Sequence, residues 1–409
     1  MTCGVKEIGL WVKLNRRLLV LAKEHRNRFT PFVRNFSSTG SDTTNTNDTQ
    51  QSTTKTKRHP IKDIPDDEIK KSVFISQSHD IFTNLAFEDW MYQNFDFTTH
   101  HVLMLWSNDP CVVIGRHQNP FSEANVTRLR TNGIELARRN SGGGTVYHDR
   151  GNINLTFFTP RERYNRNYNL NIITRALFRE WEIKADISPR DDITLNGNKI
   201  SGTAAKLGQK NAYHHCTLLV STDKSRLRDA LCKENVQIES RATASVRSPV
   251  KNLIDVNCHV NVSQLETAIG YEFLRTAAST LDDGGRDMIM IQRGFQLINP
   301  TENWFPGLNK TRDQYASWDW RFGKTPKFSA HKTIQMKCNG KEQDVQLKIT
   351  VEAGIIQQIA LVLPNCETTI PVISTFCGKP YDEDNLLHIT NATKGISLDN
   401  FTNAIDHSI

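Results

Sequence analysis

The most informative short segment of this chain is a run of three consecutive glycines, Gly142, Gly143 and Gly144. Glycine has no Cβ atom, so three in a row can adopt dihedral angles closed to other residues and can approach a bound group closely. The exposed amides can surround an anion, and the preceding Arg138 and Arg139 can add positive charge. The segment therefore predicts a loop that binds a phosphate or an acyl phosphate, with a glycine-rich surface turn as the competing interpretation.

The length and composition of the chain are typical of a globular protein. Its 409 residues suffice for two domains and a tail, and a content of 37% apolar residues allows a sizeable core. Residues 1–58 carry eleven Lys and Arg against four Asp and Glu, so the whole net charge of +7 lies there. The neutral remainder argues against a broad basic surface, and no nucleic-acid partner is expected.

The amino-terminal 36 residues have the composition of a targeting segment. Apolar residues recur there at helical spacing among many Lys and Arg: Ile8, Trp11, Leu14, Leu18 and Leu21. Such a start is typical of a mitochondrial presequence, here with cleavage near Phe36, and predicts the mitochondrial matrix as the location. A basic amphipathic surface helix is the alternative. Residues 37–71, rich at first in Ser, Thr, Asn and Gln, are predicted to be a disordered spacer.

The eight cysteines are scattered without any C-x-x-C pair. That usage is typical of free thiols in a reducing compartment rather than of a disulfide framework or a zinc site. No apolar run approaches the roughly 18 residues that span a bilayer. Neither a metal nor a membrane is therefore expected as a partner.

Strands and helices are interspersed from about residue 72, which predicts a mixed α/β domain around a large sheet. Expected strands cover 101–106, 111–115, 135–139, 145–148, 153–157 and 217–220, with helices near 81–90, 170–181 and 262–273. A small α+β domain is predicted over 324–409, after a catalytic domain over 72–323. Its strict alternation at 345–351, its turn at 353–354 and a helix after about Ser397 support that division.

Two further motifs carry candidate functional residues. Lys199 follows Asn196-Gly197-Asn198, and Asn-Gly is a strong signal for a hairpin. A lysine at the exit of a hairpin can point its ammonium into a cleft, although a lone lysine is more often a solvated strand end. His214 and His215 are adjacent on a predicted strand, so their side chains face opposite sides. This spacing favours one buried, hydrogen-bonded imidazole over a metal site.

These motifs, taken in order, resemble the lipoate–protein ligase and lipoyltransferase family, which is related to biotin protein ligases. The last two blocks resemble the lipoyltransferases most. The resemblance covers roughly residues 72–409 and rests on six blocks: 106–120, 138–154, 191–204, 213–219, 242–253 and 318–328. It implies a mixed-sheet catalytic domain of the biotin and lipoate protein ligase type, followed by the small α+β domain.

The resemblance also implies the site residues. Lys199 would be catalytic, bonding the acyl carbonyl and phosphate oxygens of lipoyl-AMP. Val246 and Ser248 would contact the same ligand through their backbone. The other implied contacts are Tyr147, Arg190 and Thr217, together with Arg138, Arg139, Ser141 and the three glycines on the acyl-phosphate side. Lipoyl-AMP would be a bound substrate, and no permanent cofactor is implied.

The activity that the resemblance implies is amide formation. A lipoyl group would pass from lipoyl-AMP, or from a lipoylated donor such as glycine cleavage H-protein, to a lysine of a lipoyl domain. The acceptors would be the acyltransferase subunits of 2-oxoacid dehydrogenase complexes, and the enzyme would be a monomer. One alternative is an ATP-dependent lipoate–protein ligase. Another is an octanoyltransferase with an acyl-enzyme on Cys216. A third, a non-catalytic binding protein, does not explain why Lys199 and the glycine loop occur together.

Overall fold

The computed structural model describes residues 61–232, 236–338, 341–362 and 369–394. The predicted presequence and the predicted helix after Ser397 lie outside these residues. The last part of the predicted spacer is described, and it is ordered. It forms two short 3-10 turns, Ile61–Asp63 and Asp66–Glu68. The first strand already begins at Lys70, with Lys71 buried, so the folded part begins before residue 72.

A mixed six-stranded sheet forms the centre of the molecule, in the order β10-β11-β6-β2-β1-β13. Strand β1 runs parallel to both β2 and β13, and the other neighbours are antiparallel. The bounds are β1 Lys70–Ser76, β2 His100–Trp106, β6 Asn152–Pro160, β10 Thr203–Leu207, β11 Asn211–Leu219 and β13 Gly294–Ile298.

Helices cover both faces of this sheet, and the predicted mixed α/β fold is confirmed. The helices of the described residues are α1 Ile81–Asn94, α2 Pro120–Glu123, α3 Val126–Thr131, α4 Arg166–Trp181, α5 Lys224–Ala230, α6 Val262–Arg275, α7 Gly285–Met290, α8 Leu308–Ala316, α9 Trp318–Arg321 and α10 Glu383–Lys394. None of them is long and apolar enough to cross a membrane.

The alternation of side chains along β2 shows how the two faces are filled. Leu103 and Leu105 pack in one core cluster with the apolar stripes of α4 and α6. Val102, Met104 and Trp106 pack in a second cluster with α1, α8 and α9. Both faces of the strand are apolar because both are covered, and the sheet becomes a rigid base for the loops at its edges.

Two small three-stranded sheets carry the motifs found in the sequence. The first has the order β4-β3-β5, and the glycine loop joins β4 to β5. The second, β7-β8-β9, contains the predicted hairpin, whose turn residues Asn196 and Gly197 both have positive φ. The bounds are β3 Cys111–Ile114, β4 Glu135–Arg138, β5 Val146–His148, β7 Asp186–Ile187, β8 Ile193–Leu195 and β9 Asn198–Lys199.

A five-stranded antiparallel sheet follows, with the order β12-β14-β15-β16-β17 and its own apolar cluster. Alternate residues of β15, from Val345 to Val351, are buried, as the period-two pattern predicted. Strand β12 precedes residue 324 by more than 80 residues, so the chain contributes one strand to this sheet early and returns to it at β14. The bounds are β12 Gln237–Ser240, β14 Phe328–Cys338, β15 Lys341–Glu352, β16 Ile355–Val362 and β17 Thr369–Pro371.

Candidate active site

The backbone of the glycine loop packs closely against Gly115, the residue that follows β3. A Cβ atom on Gly115 would lie 2.2 Å from the carbonyl oxygen of Gly143. Gly143 itself has a φ of +89°, in the left-handed region that favours glycine. The close approach of the two backbones therefore requires glycine at both positions.

The buried side chain of Arg139 fixes the glycine loop by hydrogen bonds to its carbonyl groups. Its Nη2 donates to the carbonyls of Gly142 at 2.6 Å and Gly144 at 2.7 Å. Its Nε donates to Ser141 Oγ at 3.0 Å, and its Nη1 to the carbonyl of Val113 at 3.1 Å. Burial lowers the pKa of the Arg139 guanidinium to about 10, so the side chain stays charged at neutral pH. The loop is thus organised by a buried cation that also lines the cavity.

Arg138 does not reach the cavity, although the sequence assigned it to the acyl-phosphate side. Its side chain leaves the strand on the opposite face from that of Arg139 and is fully buried. Nε and Nη2 donate to the carbonyl of Arg321 at 3.1 and 2.8 Å, and Nη1 donates to the carbonyl of Gln118 at 2.7 Å. Nη2 also donates to Thr325 Oγ1 at 3.0 Å. Arg138 is therefore a structural cation that ties β4 to segments 115–118 and 320–325.

The adjacent histidines face opposite sides of β11, as predicted. His215 Nε2 lies 2.8 Å from Ser141 Oγ, and its Nδ1 lies 2.9 Å from Glu88 Oε1. His214 lies on the other face, 3.3 Å from the side-chain amide of Asn169, and burial lowers its pKa well below the usual value. His215 thereby links Ser141, at the base of the glycine loop, to helix α1. Within the described ranges there is no group of three His, Cys, Asp or Glu that could hold a metal ion.

A cavity of about 260 Å³ lies between the glycine loop, the hairpin and β11. Seven of the residues assigned from the sequence line it: Arg139, Gly143, Gly144, Arg190, Lys199, Thr217 and Val246. Five do not: Arg138, Ser141, Gly142, Tyr147 and Ser248. Gly142 and Ser141 remain next to the cavity, because they bond Arg139 as described above.

Lys199 is fixed at the mouth of the cavity by its backbone. Its N–H donates to the carbonyl of Pro249 at 2.9 Å, and its own carbonyl accepts from Lys251 N at 3.0 Å. The neighbouring Ile200 is fully buried in the core cluster and anchors the hairpin. The Lys199 side chain is 25% exposed, with Nζ 2.8 Å from Asp192 Oδ1. The ammonium is therefore both held in place and accessible to a ligand.

Thr217 and Val246 come from two further walls. Thr217 Oγ1 accepts from Gly202 N at 2.9 Å, which joins β11 to the segment after Lys199. Val246 is 61% exposed, and the preceding Ser245 anchors its loop by accepting from Thr145 N at 2.8 Å and from Gln118 Nε2 at 3.0 Å. The loop thus joins the wall formed by the glycine loop.

Tyr147 and Ser248 contribute no side chain to the cavity. On β5, Val146 and His148 line the cavity, and Tyr147 between them points the other way. Its ring is buried in an apolar cluster with Val112 and Leu136, and burial raises its pKa to about 12. Strand alternation accounts for this orientation, because Tyr147 lies between two residues that line the cavity.

The lining is strongly cationic. Among the cavity-lining residues that the structure describes, four side chains are cations: Arg139, Arg166, Arg190 and Lys199. Asp192 is the one lining residue among them with a carboxylate. Such a surface suits an anion. The sequence reasoning missed Arg166 and Asp192 as site residues. Asp192 lies in the segment 191–204, which contains the hairpin. Arg166 is the first residue of helix α4, and only the tertiary fold brings it to the cavity.

Cys216 also lines the cavity, but its thiol is 3% exposed and burial raises its pKa. The nucleophilic form of cysteine is the thiolate, and none of the causes acting on this thiol lowers its pKa. The surroundings of Cys216 are therefore those of a packed structural cysteine.

Comparison with known proteins places the chain in a family. The sequence profile described as Lipoyl protein ligase A/B catalytic domain matches residues 80–274. The chain is 42% identical to a mitochondrial lipoyl amidotransferase of Mus musculus, over 71% of this chain and 75% of that protein. It is 38% identical to lipoate-protein ligase A of Psychrobacter cryohalolentis, over 65% of this chain and 76% of that protein.

A solved structure, P. falciparum LipL1 in complex with lipoate, shares the fold. It is 25% identical, with a TM-score of 0.53, and the match covers 80% of this chain and 88% of that one. The family expected from the sequence motifs is confirmed by these relatives. On the identity and coverage of its amidotransferase relative, the chain belongs to the lipoyl protein ligase family, and it is a lipoyltransferase.

Proposed function

We propose that this lipoyltransferase binds lipoyl-AMP in the cationic cavity and transfers the lipoyl group to one lysine of a lipoyl domain, forming an amide. The observation that carries the proposal is the accessible Lys199 ammonium, which faces a cavity walled by the glycine loop. Amide formation by an amine needs no nucleophile from the enzyme. It needs a positioned carbonyl, a stabilised oxyanion and a held leaving group.

Each wall of the cavity has a part in this reaction. Lys199 bonds the acyl carbonyl and phosphate oxygens, and the amides of Gly143 and Gly144 face the phosphate. Arg190 and Thr217 complete the polar wall, and Val246 and Ser248 contact the ligand through their backbone. These assignments are supported by the placement of Arg139. Its three hydrogen bonds to the carbonyls of Gly142 and Gly144 hold the glycine loop in one conformation. Arg138, Ser141, Gly142 and Tyr147 act indirectly, as the support behind the loop and β5.

Direct attack on the adenylate is preferred over a covalent intermediate on Cys216. The buried thiol has a raised pKa, whereas an acyl-enzyme would need it as a thiolate. The cavity is also lined by cations that suit a phosphate leaving group. An exchange between two thioesters has no such leaving group and would not need these cations.

The proposed acceptors are the lipoyl domains of 2-oxoacid dehydrogenase acyltransferase subunits, and lipoylated glycine cleavage H-protein is a further donor. The place of action is the mitochondrial matrix, supported by the presequence composition and by the mitochondrial relatives. We also propose that the enzyme acts as a monomer, and that residues 324–409 form a small accessory domain that follows a catalytic domain over residues 72–323 in the sequence.

A comparison of donors tests the function. Purified mature protein is given an apo lipoyl domain together with lipoyl-AMP, with lipoylated H-protein, or with lipoate and ATP, and the acceptor is weighed by mass spectrometry. We expect one lipoyl group per domain from lipoyl-AMP. Product from lipoate and ATP as fast as from lipoyl-AMP would identify an ATP-dependent ligase instead. No product from any donor would refute the proposed activity.

A further inference from the structure

The carboxylate in the cavity has no part in the reaction as described so far. Asp192 Oδ1 lies 2.8 Å from Lys199 Nζ, and the Asp192 side chain is 16% exposed. Its backbone N–H donates to Ser188 Oγ at 3.1 Å, and the next residue, Ile193, is fully buried. The carboxylate is thus held at the mouth of the cavity beside the ammonium that faces the acyl group.

The acceptor lysine brings a chemical requirement of its own. A lysine ammonium has an ordinary pKa of about 10.4, so near pH 7.5 only about one molecule in a thousand carries a free amine. Only the free amine has the lone pair that attacks a carbonyl carbon. A site that forms an amide from a protein lysine therefore benefits from a group that binds the ammonium and accepts one proton.

The other titratable side chains around the cavity are unsuited to that task. Both nitrogens of His215 are engaged, with Ser141 and Glu88. His148 is buried and its Nδ1 lies 2.9 Å from the side-chain amide of Asn108. The Nε2 atom of His148 is buried as well, so an incoming ammonium cannot reach it. The remaining charged groups that line the cavity are cations, which repel an incoming ammonium.

We propose that Asp192 is the catalytic residue that receives the acceptor lysine, a role that rests on the proposed function. When the acyl phosphate enters, Lys199 Nζ turns from Asp192 to the ligand oxygens, and the freed carboxylate bonds the incoming ammonium. One proton passes from the acceptor to Asp192. The amine nitrogen then bonds the acyl carbon, and the carbon–oxygen bond to phosphate breaks with its electron pair leaving on AMP. The second amine proton passes to the released phosphate.

Two nucleophiles of different basicity test this role in the full-length enzyme. The Asp192→Asn variant is mixed with lipoyl-AMP and either an apo lipoyl domain or hydroxylamine, which is largely unprotonated at neutral pH. We expect transfer to the lipoyl domain to fall about 100-fold or more, as for a lost general base. The rate of lipoyl hydroxamate formation above the enzyme-free background should change less than about threefold, and this enzyme-dependent rate also reports that the variant is folded.

The controls separate the role of Asp192 from a general loss of charge. Asp186→Asn removes an exposed carboxylate from the same small sheet and should leave both reactions unchanged. Asp192→Glu should recover part of the transfer to lysine. An equal loss with both nucleophiles would show that Asp192 only positions Lys199, and undiminished transfer to lysine would also overturn the proposal. A wild-type enzyme that accelerates neither reaction above the enzyme-free rate would refute the proposed function instead.

Discussion

Arg138 and Arg139 are adjacent and chemically identical, yet only one of them faces the cavity. The sequence assigned both arginines to the acyl-phosphate side of the glycine loop, but only Arg139 bonds the loop. Which arginine faces the cavity depends on strand alternation and on what packs behind the strand. Arg138 is satisfied by carbonyls from segments about 20 and 180 residues away in the chain, which no local pattern reports. The same limit applies to Tyr147, whose ring lies on the far side of β5.

Lys199→Ala is expected to lower transfer from lipoyl-AMP by at least two orders of magnitude, because it removes a charged donor to the developing oxyanion. The backbone bonds to Pro249 and Lys251 remain, so the melting temperature should stay close to that of the wild type. Initial rates and thermal denaturation measure the two effects. Lys210→Ala, which removes an exposed ammonium, is the control and should transfer normally. Near wild-type activity of a folded Lys199→Ala protein would contradict the assigned role.

Cys216→Ser is expected to keep most of the transfer activity. Serine is nearly isosteric, and a packed thiol that stays protonated has no chemical step to perform. A modest loss of stability, about 1 kcal/mol, should follow from burying a more polar group. Intact-protein mass spectrometry of the wild type with lipoyl-AMP alone should show no covalent adduct. A hydroxylamine-sensitive adduct on Cys216, with activity abolished in the variant, would establish the acyl-enzyme route.

At the scale of elements, local patterns predicted about half of the strands and helices between residues 72 and 323, and they missed three strands of the central sheet, β1, β10 and β13. The Asn-Gly turn, the stripe on α4 and the alternation on β15 all follow from periods of 2 and 3.6 within one segment, and each is confirmed. Strand β12 was not predicted, because its partner β14 lies about 90 residues later in the chain. Helix α10 was also missed. The cavity could not be predicted from such local patterns alone, because its lining residues come from segments that lie far apart in the chain, between Leu85 and Val246.

Gly115→Ala tests the contact between β3 and the glycine loop. The added Cβ would meet the backbone oxygen of Gly143 at 2.2 Å, so the loop must move. We expect the KM for lipoyl-AMP to rise at least tenfold and the free energy of unfolding to fall by about 1–3 kcal/mol, as for other overpacked sites. Gly133→Ala is the control, because its positive φ imposes strain in open space away from the cavity. Its KM should not change. An unchanged KM in Gly115→Ala would mean that the loop position does not determine binding.

At the scale of the whole molecule, a buried lysine joins the sheet to its helices. Lys71, on β1, is 1% exposed and its Nζ donates to the carbonyls of Phe273 and Thr276 and to Tyr168 Oη. Burial lowers the pKa of Lys71 to about 7, with the Asp66 carboxylate acting in the opposite direction. The unfolded chain, with a pKa near 10.4, therefore binds more protons than the native state between about pH 7 and 10. Stability should rise with pH in that window.

Lys71→Met should remove this contribution. The wild type should gain up to about 1.4 kcal/mol of unfolding free energy per pH unit relative to the variant between pH 7 and 9. Urea denaturation of both proteins at several pH values measures the difference, in which other titrating groups cancel. Parallel stability curves would contradict the lowered pKa.

The pairing of β1 with β13 has a consequence for how the protein is made. Residues 72–76 of β1 pair with residues 294–298, which are synthesised about 220 residues later. At usual rates of protein synthesis, that delay is about 10 to 40 seconds. Until then one long side of β1 exposes unpaired amide and carbonyl groups, which invite pairing with other chains. A nascent or newly imported chain truncated before residue 294 should therefore depend on chaperones, and one extended past residue 298 should be released from them.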